Sequence, residues 1–359
     1  MSDSTNSTSA LYLLPPDLIE AILPFLPPKS LGRFKSVSKR WYSLISSPEF
    51  IKTHIRNYTK NNPNPNPTHL ILDEVDGFSN FLVNIKQLNT QPTPETLFAK
   101  RLNFEEPLTT IIGSCNGLLF ATDKNQNLYF VNPTTRKSLK VPAGERTNGI
   151  YRFGYDSSTD DYKVISIPYN VVSDSTKVVR VYSLRNNSWN VLPNFSYKYD
   201  YHGPGVLLNN NLHWIVRGRH LTMAIAAFSL ADEKLHEIEF PDSASYVQGR
   251  CTKLFALGDK LVVVGVGSHI IELWVMEEYG VTKSWTKLFV CNKDINLDYE
   301  CFAQVSNWDI MLGNNESNEI VIYNMEERRC KSVTVEGCPE EFMVYGTYAE
   351  SLESPERFR

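Results

Sequence analysis

The chain has 359 residues, enough for two ordinary domains and a large core without metals or disulfides. Apolar residues make up 42% and charged residues 21%, close to the globular average, which excludes wholesale disorder. A net charge of -4 argues against nucleic acid or an acidic membrane as partner, and no apolar run reaches the ~18 residues of a membrane span.

The first ten residues, MSDSTNSTSA, lack the basic and apolar segments of a secretory leader. Six cysteines (115, 251, 291, 301, 330 and 338) are scattered, with no CxxC pair and no histidine at zinc-finger spacing. That pattern predicts reduced thiols in a cytoplasmic and/or nuclear protein, with no metal and no cofactor.

Charge divides the chain. Residues 1–60 hold eight Lys/Arg against four Asp/Glu, a surplus of +4 that leaves -8 for the rest. Five of the basic residues fall between Lys29 and Arg40. A solvated helix face or an acidic protein partner accounts for them more simply than nucleic acid.

Within this segment, Leu14, Leu18 and Ile22 recur every four residues, on one helical face. Pro15 and Pro16 suit the first turn, Asp17 suits the positive end of the dipole, and Pro24 ends the helix near Leu23. A second helix is predicted from Ser30 as N-cap, carrying Leu31, Phe34 and Val37. A third starts at Ser38 with Trp41, Leu44 and Ile45. Ser47-Pro48-Glu49 opens a fourth, followed by Phe50, Ile51, His54 and Ile55. So few residues sit at the lower edge of independent stability. Either these apolar side chains pack on one another, or some stay exposed for a partner. Spacing alone leaves both open. Residues 61–67, NNPNPNP, then disfavour helix and read as a linker.

The run LPPDLIEAILPFLPPKSLGRFKSVSKRWYSLISSPEFIKTHI resembles an F-box over nearly its whole length. Leu14-Pro15, Asp17-Leu18, Ile22, Leu26-Pro27, Leu31, Arg33-Phe34, Val37-Ser38-Lys39 and Trp41 carry the match. Pro24 and Gly32 depart from it by shortening or weakening helices. The resemblance implies docking to a Skp-type adaptor, and through it to a cullin, in a ubiquitin ligase. It assigns Leu14, Pro15, Leu18, Ile22, Leu31, Val37 and Trp41 to the adaptor face. An F-box protein is implied to do no covalent chemistry, its other domain holding a target protein near the ubiquitin-charged enzyme.

The remainder repeats. Segments beginning at Phe130, Val181, Ala227, Leu273 and Val321 share a strand, a polar turn and a second strand. Their equivalent positions Asn132, Ser183, Ser229, Val275 and Asn324 are spaced by 51, 46, 46 and 49 residues. Hairpin turns are predicted at 134–136, 185–187, 231–233, 277–280 and 326–327. Further strands are expected at 117–121, 162–167, 212–216, 260–265 and 309–313. About four strands per period predict a kelch-like β-propeller, with residues 81–88 as the remnant of a sixth blade. A β-sandwich is the rival. The predicted fold class is thus mainly β after a small all-α module, with six blades.

Gly113-Ser114-Cys115-Asn116-Gly117-Leu118, Asn132-Pro133-Thr134-Thr135-Arg136, Gly154-Tyr155-Asp156 with Asp161-Tyr162-Lys163-Val164, and the tail Tyr345-Gly346-Thr347-Tyr348 resemble the F-box-associated domain of land-plant F-box proteins. Ala349-Glu350 depart from that family's usual tail. The family includes members acting in plant immunity and in pollen self-incompatibility. The implied domains are an N-terminal tail (1–12), an F-box (13–58), a linker (59–68), a propeller (69–352) and a short tail (353–359).

No GxGxxG, Walker, GxSxG or HExxH motif is present. His213 sits in a strand pattern and reads as a core residue, Asp160-Asp161 as a turn, and most tryptophans as packing. Two loops stand out as target-binding candidates: Tyr197, Tyr199 and Tyr201 in FSYKYDYHGPG, and Arg217 with Arg219. An ordinary loop with half-buried rings is the plainer account of the tyrosines. The alternatives to a substrate receptor are a glycan-binding F-box protein and a propeller enzyme.

Overall fold

The computed structural model describes residues 15–60, 68–74, 79–89, 95–142, 149–168, 178–192, 199–200, 205–217, 223–241, 252–266, 270–292, 302–304, 309–312, 318–340 and 342–358. The chain divides into two compact units, Met1–Asn62 and Pro63–Arg359.

The first unit is helical. Helix α1 (Pro16–Ile22) starts on proline and runs into a 3-10 turn, Leu23–Phe25, where Pro24 ends the α-geometry. Helix α2 spans Pro28–Phe34, so Pro27 and not Ser30 is its N-cap. The correction has a simple cause: proline tolerates the first turn, so the helix begins two residues before the serine. Helix α3 (Lys39–Ser46) is capped as expected, the Ser38 hydroxyl accepting from the Trp41 amide at 3.1 Å. Helix α4 (Pro48–Lys60) follows Ser47, whose hydroxyl accepts from the Phe50 amide. Leu23, Leu31, Ile45, Phe50 and Ile51 are buried in this unit.

The second unit is built of antiparallel meanders. Strands β1 (His69–Glu74), β2 (Asn80–Asn84) and β3 (Thr96–Arg101) come first. Next, β4 (Leu108–Cys115), β5 (Leu118–Asp123), β6 (Leu128–Asn132) and β7 (Lys137–Lys140) form a blade. A second blade holds β8 (Gly149–Asp156), β9 (Asp161–Pro168), β10 (Val179–Ser183) and β11 (Ser188–Leu192). In the third, β12 (Tyr199–Asp200) and β13 (Val206–Leu208) both pair with β14 (Asn211–Arg217), followed by β15 (Met223–Ser229) and β16 (Leu235–Glu239). The fourth contains β17 (Thr252–Leu257), β18 (Lys260–Val266), β19 (Ile270–Met276) and β20 (Trp285–Asn292). Then come β21 (Phe302–Gln304), β22 (Asp309–Leu312), β23 (Glu319–Asn324), β24 (Arg329–Glu336) and β25 (Phe342–Tyr348).

The propeller is present, but the six separate blades expected are not. Four blades stand alone, and the remaining strands make one eight-stranded sheet, β21-β22-β23-β24-β3-β2-β1-β25. It consists of two antiparallel groups of four, joined where β24 and β3 pair in parallel through Thr334–Thr96, Val335–Leu97 and Glu336–Phe98. Each of these edges satisfies the other's unpaired backbone groups. The five repeated hairpins are those predicted, and Arg136, Asn187, Glu233, Gly280 and Arg328 take positive φ in their turns.

The ring closes on itself. Strand β4 touches β8, β8 touches β14, β13 and β14 touch β17, β17 touches β21, β21 touches β25, and β25 returns to β4. Closure pairs the first strand of the unit, β1, with its last, β25, from His69–Tyr348 to Glu74–Phe342. Apolar cores fill the spaces between neighbouring sheets. The one between the first and second blades is aromatic, with Phe120, Phe130, Phe153, Tyr162 and Tyr182 buried together.

Candidate functional site

Two surfaces and several buried polar clusters are candidates. The helical unit leaves a large part of its apolar surface uncovered. Leu18 and Ile22 on α1 are each 49% exposed, and Val37, between α2 and α3, is 62% exposed. Pro15 is exposed as well. Leu31 departs from the expectation: it is fully buried and belongs to the core of the unit. The helical spacing that places a side chain on an apolar stripe does not say whether that stripe faces inward. Trp41 is half-buried, meeting Phe34 edge-on at 5.4 Å. Leu14 lies outside the described residues. Two exposed aromatics were missed, Phe25 at 55% and Tyr42 at 60%. Phe25, two residues before a proline pair and just past the end of α1, was the legible one. Exposed Lys29, Arg33, Lys39 and Arg40 lie in or beside α2 and α3.

On the propeller, Tyr199 and Arg217 are direct cross-strand partners between β12 and β14. The antiparallel pairing puts the start of β12 beside the end of β14. Tyr197, Tyr201 and Arg219 lie outside the described residues.

The buried polar groups serve the fold. His213 is fully buried: its Nδ1 donates to the Val206 carbonyl (3.1 Å) and its Nε2 accepts from the Tyr279 hydroxyl (2.7 Å). Burial lowers its pKa to about 4 and keeps it neutral. Asp156 is buried at the turn into β9. Burial alone would raise its pKa, but hydrogen bonds from Ser158, Thr159 and Asn210 hold the carboxyl well below the usual range. Lys163 reaches Asp156 at 3.4 Å and Glu233 at 3.0 Å, tying the second blade to the third. Asp161 accepts from the Ser183 hydroxyl and the Arg185 amide.

The sequence signatures meet at a clasp. Asn132 is fully buried, and its Nδ2 donates to the carbonyls of Ser351 (3.2 Å) and Glu353 (2.7 Å). Its Oδ1 accepts from the amides of Thr134 and Thr135 and from the Tyr348 hydroxyl. The Ser351 hydroxyl donates to the Asn116 carbonyl (2.7 Å). Gly117 is required there: its φ is +79°, and a Cβ would come within 2.1 Å of Ser351 Oγ. Arg357 pairs with Glu353 and Asp160, and Phe358 meets Tyr162 edge-on. The tail after β25 is thereby fastened across the first and second blades.

Comparison with known proteins follows the same division. Residues 11–53 match the F-box domain, and residues 74–354 match the F-box associated beta propeller domain. F-box protein CPR1 of Arabidopsis thaliana is 26% identical over 92% of this chain and 86% of its own. F-box/kelch-repeat protein At3g23880, from the same plant, is 26% identical over 80% of this chain and 82% of its own. Among solved structures, TolB from Acinetobacter baumannii aligns with a TM-score of 0.52 at 10% identity, covering 85% of this chain and 74% of that one. That likeness concerns the fold alone.

Proposed function

Because the chain belongs to the F-box proteins that carry an F-box associated beta propeller domain, we propose that it is a non-catalytic substrate receptor of a Skp–cullin–F-box ubiquitin ligase. The helical unit docks the Skp-type adaptor, and the propeller holds a target protein in the cytoplasm or nucleus. The exposure of Leu18, Ile22 and Val37 carries the adaptor half of this reading. A unit this small gains stability from every apolar side chain it can bury, so uncovered ones mark where a partner completes the core. For the target half, the Tyr199–Arg217 backbone pairing supports a site at the end of the third blade; Tyr197, Tyr201 and Arg219 are candidates only by their nearness in sequence. Chemistry within the propeller has weaker support, because His213, Asp156 and Asp161 are all engaged in holding the fold.

The test is co-purification with the adaptor. Leu18→Ala with Ile22→Ala removes two half-exposed anchors and weakens adaptor binding by roughly tenfold or more. The melting of both units stays unchanged. Undiminished adaptor capture by the double variant overturns the docking face. For the target site, Tyr199→Ala with Arg217→Ala lowers target ubiquitination while adaptor capture is kept.

A further inference from the structure

Outer strands of a propeller expose one backbone edge each, and an exposed edge is a template for another strand. This chain protects nearly all of its edges. Strand β7 carries Lys137 and Lys140 and lies against the 3-10 turn Pro355–Phe358, with Lys137 bridged to Glu356 at 3.0 Å. Strand β16 carries Glu237 and Glu239, and β20 carries Lys287. Strands β24 and β3 cover each other. Strand β11 is the exception. It reads Ser188-Trp189-Asn190-Val191-Leu192, and residues 186–197 hold no charge at all. Val191 is 57% exposed, and among the described residues β11 pairs only with β10.

We propose that β11 is a docking edge to which an extended, uncharged segment of a partner protein adds as a further strand. The molecule supplies its own precedent: Thr96-Leu97-Phe98, an uncharged extended segment, adds in parallel to the outer strand β24. A charged side chain on the incoming strand finds no counter-charge along β11, whereas β-branched and aromatic side chains find Val191 and the flank of Trp189. Main-chain hydrogen bonds supply the affinity and alternate side chains the selectivity. Trp189 is itself anchored, its Nε1 donating to the Pro142 carbonyl at 3.2 Å. The edge lies on the propeller, and the inference does not depend on adaptor docking.

The full-length chain is immobilised and challenged with a random dodecapeptide phage library. Enriched peptides should be uncharged and rich in Val, Ile, Thr and aromatics. Synthetic copies should lose roughly tenfold or more in affinity for Val191→Lys, and keep it for Val191→Thr. Both variants should melt like the wild type, because position 191 is mostly exposed. N-methylation of alternate peptide residues should abolish binding in one phase of the alternation and be tolerated in the other, as strand addition requires. Selection of charged peptides, or of none, overturns the proposal. So does equal binding to Val191→Lys, or indifference to the phase of N-methylation. Sedimentation showing a wild-type dimer that Val191→Lys dissolves also overturns it, since a second copy would then occupy the edge.

Discussion

Position 213 shows burial deciding the protonation state of one side chain. Its folded pKa of about 4 lies below the ordinary 6.5, so in that window the unfolded chain binds the extra proton. The contribution to stability is therefore complete above about pH 6.5 and is lost as pH falls toward 4, by up to about 3 kcal/mol. Urea midpoints measured from pH 8 to pH 4 should show a steeper acid decline in the wild type than in His213→Asn; parallel declines would remove His213 as the source. The strand pattern around Leu212-His213-Trp214 was enough to read a core histidine. Its partners were not legible, because Tyr279 comes from the next blade, 66 residues on. Leu31 shows the same limit from the other side. Helical periodicity puts it on the apolar face of the second helix with Phe34 and Val37, just as it puts Leu18 and Ile22 on that of the first, and only packing separates the buried residue from the exposed ones.

Among the elements, the hairpins were the most legible, since strand alternation and turn residues are local. The clasp after β25 was not, because Asn132 binds the backbone more than 200 residues away. The Asn-Pro-Thr-Thr-Arg signature reads as a turn, and its first residue is also the lock for the tail. Asn132→Ala leaves two buried carbonyls without donors, each costing about 1–3 kcal/mol. The variant should melt at lower temperature and be cut faster by trypsin at Arg357, which is held by Glu353 and Asp160 in the closed clasp. Asn132→Asp, which keeps the size and loses the donors, should behave alike. If Asn132→Ala retains wild-type melting and protease resistance, the asparagine is not what fastens the tail.

For the whole molecule, one chain has to close a ring. The repeats and their period were visible in the sequence, but the fusion of the last hairpins with the first strands was not. Residues 81–88 read as a vestige because their sheet is completed from the opposite end of the chain: β2 pairs with its neighbours β1 and β3, and these pair in turn with β25 and β24. In the structure β1 lies between β2 and β25, hydrogen-bonded to both. The division at Asn62 predicts that a fragment beginning at Thr68 folds alone, with an all-β circular dichroism spectrum, cooperative melting and no adaptor binding. A fragment beginning at Asn80 lacks only β1 in addition, yet β2 and β25 each lose a partner, and Leu70 and Leu72 leave the core between the two halves of the eight-stranded sheet. Two fully buried leucines and a ladder of backbone bonds exceed the net stability of many domains, about 5–15 kcal/mol. The shorter fragment should therefore fail to melt cooperatively while the longer one does. Cooperative melting of both would mean that the ring does not depend on its first strand for closure.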